Sequence, residues 1–376
     1  MAVAVAGAFG VGVLTGVVGS RQPSSGVLDE AASTIAATAA RPVDEGQLER
    51  AAVEGMLATL DDRWSSYYTP GQYSSFQQGL AGRYSGVGVW LRPSRKPSHP
   101  LGVASVAPGS PAALAGVESG DTLVLVDGRP TADATLGDVV GWLRGDDGTA
   151  VTLTVRRAGV PQTLTVVRAS LTTQDVSIDR LPGDITAIRI HAFTRGVGRE
   201  VRDALADNAA AYSGGVVLDL RGNPGGLLDE AVEVASVFLD GGPVVSYERR
   251  GAPDRSLQAV PGGDTTTPLV VLVDHSSASA AEVVAAALQD RNRAVIVGAR
   301  TFGKGSVQEP RRLSDGSALE LTVGRYLTPS GRVIDGRGVE PDVLVPAGSP
   351  PDLAQARAVE VLRGLMAALR PVGPQG

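Results

Sequence analysis

Cysteine is absent from this chain, which excludes a thiol nucleophile, disulfide bonds and thiolate-held metal. Histidine occurs only at His99, His191 and His275, far apart, and no HExxH pair is present, so nothing supports a histidine-built metal site. Aromatic residues make up just 4% of the chain. A net charge of -6, with no basic stripe interleaved with aromatics, argues against a general nucleic-acid binder. The most informative scarcity is lysine. Arginine carries nearly all the positive charge, and the two lysines are Lys96, in a polar Ser/Pro/Arg stretch, and Lys304. Arginine stays protonated in proteins, whereas a desolvated lysine can become a neutral base. A lysine kept inside Thr301-Phe302-Gly303-Lys304-Gly305-Ser306 is therefore a candidate for proton transfer.

The 376 residues predict two or three domains at about 100–200 residues each. An apolar content of 43% suffices for real cores. Residues 1–20 carry no charge before Arg21 and just reach bilayer-spanning length. They read as a signal anchor or signal peptide, with the remainder expected outside the cytoplasm in a bacterial envelope or periplasm. Residues 21–26 form a linker. Residues 27–83 read as a helical region, in which Leu48, Ala52, Met56 and Leu60 line one helix face. A final amphipathic helix falls in 347–376. Helical segments at both ends are candidate contacts for a homodimer or larger oligomer.

Residues 84–169 change character. A glycine-interrupted strand at Tyr84–Val89 precedes a strand at 101–106, a short helix opened by Pro108-Gly109-Ser110-Pro111, and a strand ending in Asp127-Gly128. A helix over 135–143 and a hairpin at 150–167 follow. This order, β-rich with two helices, resembles a PDZ domain. Such a groove adds an extended chain end as a strand, with loop amides holding the terminal carboxylate. The loop here is Ser85, Gly86, Val87, Gly88 and Val89.

Residues 170–346 alternate apolar strands (185–190, 215–220, 269–273, 294–298) with helices (196–210, 227–239, 279–290), then end in a β-rich tail. The expected fold is multidomain α/β: a helical N-terminal region, a PDZ-like domain, and a core with a largely parallel sheet. Ligands bind beyond the carboxyl ends of strands in such sheets. Three unusual loops sit there: Arg221-Gly222-Asn223-Pro224-Gly225-Gly226, Asp274 to Glu282, and the Lys304 loop. Glycine-rich turns entering helices offer free amides to developing negative charge, and Gly225 or Gly226 with Ala280 would supply two such donors. Alone, Pro224-Gly225-Gly226 is a plain turn and Ser279 a helix N-cap. The convergence of the three loops carries the argument. A phosphate-loop reading of Gly298 to Lys304 fails because residue 305 is Gly where Ser or Thr is needed. No GxSxG elbow or SxxK pair is present, and a Ser-His-Asp set using His275 lacks a third group.

At these residues the chain resembles the C-terminal processing peptidases, or tail-specific proteases. The matching pieces are Asp219 to Gly226, Ser277-Ala278-Ser279-Ala280-Ala281-Glu282, Thr301 to Gln308, and Tyr326 to Gly331 continuing to Gly338 through Asp342. Ala281 departs from the serine that many members carry there. The resemblance implies Ser279 as nucleophile, Lys304 as general base, Gln308 orienting the amine, and Gly225 and Ala280 as the oxyanion hole. Arg144 and Asp290 are implied as support for the triad. It further implies protein substrates with exposed, unstructured apolar C-termini, and a chemistry that needs no metal, nucleotide or redox cofactor. A serine hydroxyl attacks poorly until a base removes its proton. A lysine, ordinarily near pKa 10.4, does that work once burial brings it to about 7–8. The competing expectation is a PDZ adaptor with a decayed protease core.

Overall fold

The computed structural model describes residues 26–92, 101–132, 134, 136–207, 213–346 and 348–369. The expected anchor at 1–20, most of the linker, Lys96 and His99 lie outside the described residues. No helix among the described residues is long and apolar enough to cross a membrane. The chain divides into two compact units, one through Arg63 and one from Trp64 onward.

The first unit contributes α1 (Val27–Thr38) and α2 (Glu45–Ala58). The expected apolar face of α2 does not form a core. Neither helix has a buried residue, and Met56 and Leu60 are about half exposed.

The second unit opens with β1 (Ser66–Tyr68) and α3 (Pro70–Leu80), whose N-cap Thr69 accepts from the Gln72 amide. The β-rich region then runs β2 (Arg83–Gly86), β3 (Val89–Arg92), β4 (Leu101–Val106), α4 (Pro111–Leu114), β5 (Thr122–Val126), β6 (Arg129–Pro130), α5 (Leu136–Leu143), β7 (Ala150–Arg157), β8 (Val160–Val167) and β9 (Ala169–Thr172). Strand alternation builds its core: Val151, Leu153 and Val155 of β7 point inward while Thr152 and Thr154 face out. Val139 and Leu143 of α5 join that core, with Val89 and Leu91 of β3 packed against it. The sheet order is β3-β4-β5-β7-β8, so β3 is an edge strand with β4 on one side. Entering and leaving chains pair as β2 and β9, Gly86 opposite Ala169.

The core continues with β10 (Val176–Leu181), β11 (Ile185–Ile190), α6 (Val197–Asp207), β12 (Val216–Asp219), α7 (Leu228–Phe238), β13 (Pro243–Arg249), β14 (Ala252–Gln258), β15 (Leu269–Val273), α8 (Ala280–Asp290), β16 (Val295–Gly298), β17 (Ser306–Arg312), β18 (Ala318–Leu327), β19 (Val343–Leu344) and α9 (Pro351–Leu369). Its main sheet has the order β10-β11-β12-β15-β16-β19, parallel except for the edge strand β10. Every residue of β15 is buried because both faces are covered. Val271 and Val273 join the cluster shared with α7 and α8, and Val270 and Leu272 meet Ala354, Ala358 and Leu362 of α9.

The β-rich tail of the core divides between two sheets: β19 completes the parallel sheet beside β16. β18 instead anchors a second sheet, pairing with β17, β13 and β1.

Candidate active site

The crossover from β15 to α8 is short and fully tied down. Ser277 Oγ donates to the Leu220 carbonyl (2.8 Å), the Ala278 amide donates to the Asn223 carbonyl (2.9 Å), and Asp274 Oδ1 accepts from the Gly222 amide (3.0 Å). Ser279 enters α8 at φ 54° and ψ −113°, a region a residue with a side chain rarely occupies. Its side chain makes no helix-capping bond, although Ser279 stands at the N-cap position. The hydroxyl is left available, at a strand-to-helix turn of the kind that presents a nucleophile.

Pro224-Gly225-Gly226 abuts this serine. A Cβ on Gly225 would lie 2.8 Å from Ser279 Cβ and 2.9 Å from the Ala278 carbonyl oxygen, so only glycine fits. The Gly225 amide itself donates to Asn223 Oδ1 (2.8 Å), and buried Asn223 is held by the Ile190 carbonyl (2.8 Å). Gly225 is therefore occupied as an amide donor in this conformation. The amides of Gly226 and Ala280 make no hydrogen bond among the described residues. Ala280 opens α8, where the helix dipole adds to the pull on an anion.

Glu282, fully buried, joins the serine turn to the lysine loop. Its Oε2 accepts from the amides of Ser279 (2.9 Å) and Lys304 (2.9 Å). Its Oε1 accepts from the Gly303 amide (2.7 Å) and from Thr301 Oγ1. Four donors compensate the burial of one carboxylate. The loop is fixed from behind as well. The Val339 amide donates to Thr301 Oγ1 (2.7 Å), the Gly305 amide to Asp335 Oδ1 (3.1 Å), and the Phe302 amide to the Ser277 carbonyl (3.0 Å). Glu282 was named within the motif from sequence but given no role, although the Ser279-x-x-Glu282 spacing of a capping box marks it.

The side chains on this framework are arranged differently from expectation. Partly buried Lys304 rests its Nζ over the Trp64 ring, 4.8 Å from the centroid. It makes no hydrogen bond to Ser279 or Gln308. Gln308 Nε2 donates instead to Ser306 Oγ (2.7 Å) and Thr322 Oγ1 (3.3 Å), because all three lie on the paired strands β17 and β18. Ala278 is buried beside the site, but Phe302 is 50% exposed and packs edge-on against Trp64, with centroids 5.9 Å apart.

Two supporting residues sit elsewhere. Asp290 closes the opposite end of α8, about 16 Å from Ser279 at 1.5 Å per residue, and is bonded to Ser330 (2.9 and 2.6 Å) and paired with Arg332. Burial alone would raise its carboxyl, but the bonds from Ser330, Thr328 and Arg332 outweigh it and hold it below the usual range. It anchors the 328–332 turn. Arg144 follows α5 and lies over the Tyr84 ring (5.9 Å). Burial raises the Tyr84 phenol, with Arg144 opposing.

In the loop Ser85–Val89 the carbonyls of Val87 and Gly88 accept from Ala112 (2.8 Å) and Ala107 (2.9 Å). The amides of Val87 and Gly88 make no hydrogen bond among the described residues. Gly88 has φ 81°, and a Cβ there would lie 2.4 Å from Ser110 Cβ. Ser85 Oγ is buried without a partner.

Residues 184–345 match the profile of peptidase family S41, and residues 102–157 match that of a PDZ domain. A carboxy-terminal-processing protease of Bartonella bacilliformis is 38% identical over 310 residues, covering 80% of this chain and 70% of that protein. The chain belongs to peptidase family S41. This S41 chain is also 36% identical over 307 residues to a CtpA-like serine protease of Staphylococcus aureus, and spans 61% of that relative's length. Among solved structures, the photosystem II D1 C-terminal processing protease aligns with 32% identity and a TM-score of 0.54, covering 86% of this chain and 88% of that one. The S41 fold with a PDZ domain inserted ahead of the core is thereby shared with a solved relative.

Proposed function

We propose that this S41 chain is a serine endopeptidase that receives unstructured protein C-termini in its PDZ groove and cuts them through an acyl-enzyme on Ser279. The carrying observation is the Ser279 turn: a hydroxyl without a capping bond, in a rarely occupied backbone conformation, beside two unpartnered amides. Lys304, its amine neutral and moved onto Ser279, takes the hydroxyl proton as Oγ attacks the peptide carbonyl. The amide of Ala280, with that of Gly226 or of Gly225 once Asn223 lets it go, receives the developing oxyanion. Collapse breaks the C–N bond, and Lys304 returns the proton to the departing amine. A water then gives a proton to Lys304 as it attacks the acyl carbon, and Lys304 passes that proton to Ser279 Oγ as the C–O bond breaks.

The edge strand β3 and the open amides of Val87 and Gly88 support C-terminal recognition, since an added strand and a carboxylate need those two features. The uncharged run 1–20 supports an extracytoplasmic site of action. Ser279→Ala and Lys304→Arg are each expected to lower cleavage of a disordered, apolar-tailed protein by about 1,000-fold or more with circular dichroism unchanged. Undiminished turnover in either variant rejects the mechanism.

A further inference from the structure

The contact between Lys304 and Trp64 is at odds with the work of a base. The face of an indole ring is negative and attracts an ammonium, whereas a neutral amine gains little from it. A general base must be uncharged and within hydrogen-bond reach of the proton it removes. Lys304 Nζ lies 4.8 Å from the Trp64 centroid and is not bonded to Ser279, a place that favours a cation over a working base. We propose that Trp64 is a positioning residue that parks the Lys304 amine, so that cleavage requires the amine to leave the indole for Ser279. This inference rests on the Ser279–Lys304 reading above and adds the residue that opposes it.

The surroundings fit a parked state. Only the lysine side chain has to move, because the Lys304 amide is fixed to Glu282 and the flanking Gly305 to Asp335. Trp64 is seated by its own neighbours: Ser65 Oγ accepts from the Thr322 amide (3.1 Å), Ser66 pairs with Glu320, and Phe302 meets the ring edge-on. Gln308 is engaged at the same strand position, donating to Thr322 Oγ1. Thr322 thus holds the segment carrying Trp64 through its amide and Gln308 through its hydroxyl. The resting arrangement keeps the amine and the residue expected to orient it on separate partners.

The test uses the full chain with Trp64→Phe and Trp64→Leu. Two quantities are measured: the rate of Ser279 labelling by a small fluorophosphonate, which needs an activated serine but no peptide groove, and kcat and KM on an apolar-tailed peptide. Labelling rate and kcat are expected to rise from Trp to Phe to Leu, by roughly 2- to 10-fold at Leu, with KM nearly constant. A flat or falling labelling rate in the folded Phe variant overturns the proposal, and the Phe variant decides the matter if the Leu variant does not fold. A raised KM with unchanged labelling also overturns it, since that pattern belongs to a substrate-binding wall. Ser279→Ala and Lys304→Arg are run in parallel. If they label and cleave like the parent, the Ser–Lys reading fails; if they are inert and the Trp64 series is flat, the parking role alone fails.

Discussion

The Ser279 turn and the Lys304 loop meet at one buried carboxylate, yet they are finished to different degrees. On the serine side backbone and chemistry coincide: Ser279 has a rarely occupied φ and ψ and an uncapped hydroxyl, and the neighbouring Gly226 and Ala280 amides make no hydrogen bond among the described residues. On the lysine side the backbone is equally fixed, by Glu282, Asp335 and Ser277, but the amine lies on an aromatic ring and Gln308 is bonded away from it. The main chain of the site is preorganised, and under the proposed mechanism two side chains, Lys304 and Gln308, have to move before cleavage.

The contrast can be broken from the serine side first. Gly225→Ala would force a Cβ to within 2.8 Å of Ser279 Cβ at φ 104°, and is expected to lower kcat by about 100-fold or more, as a displacement near 1 Å does. Steady-state kinetics on a folded sample checks it. Glu282→Gln leaves the fold's outline but turns a donor toward amide donors. A fall of about 10- to 100-fold in kcat is expected, with a stability loss of about 2–4 kcal/mol in urea titration. If both loops stay in place without the carboxylate, the linkage through Glu282 is wrong.

Smaller effects lie farther from Ser279. Amidating the substrate's C-terminus removes the charge the Val87 and Gly88 amides would hold, and is expected to raise KM about 10-fold with kcat nearly unchanged. Asp290→Asn, at the far end of the same helix, is expected to cost about 1 kcal/mol of stability and little kcat. The Asp290 carboxyl is held below its ordinary value, so its contribution is full above the unfolded pKa near 3.9 and fades as pH falls through the lowered one. The Tm difference between parent and variant should therefore vanish in strong acid.

The parallel sheet was legible because strands such as Leu269–Val273 are continuous apolar runs between helical periods. β13, β14 and β17 were not, since PVVSYER, APDRSLQ and SVQEPRR mix proline and charge on half-exposed strands interrupted by bulges. The nucleophile turn was legible because three glycine-rich or serine-rich segments fall at one sheet edge. That Asn223 turns its side chain back on the loop and engages the Gly225 amide was not legible, because it is a local choice that spacing does not reveal. Trp64 gave no signal at all. It is a single aromatic in an irregular stretch, and the pairing of the following β1 with β18 helps bring it to Lys304.

The most direct measurement is intact-protein mass after exposure to a fluorophosphonate, comparing the parent chain with Lys304→Arg and Ser279→Ala. One adduct on Ser279 in the parent, and none in either variant over the same interval, is the expected result. An adduct forming at the parent rate in Lys304→Arg, or persisting in Ser279→Ala, contradicts an amine that activates this serine.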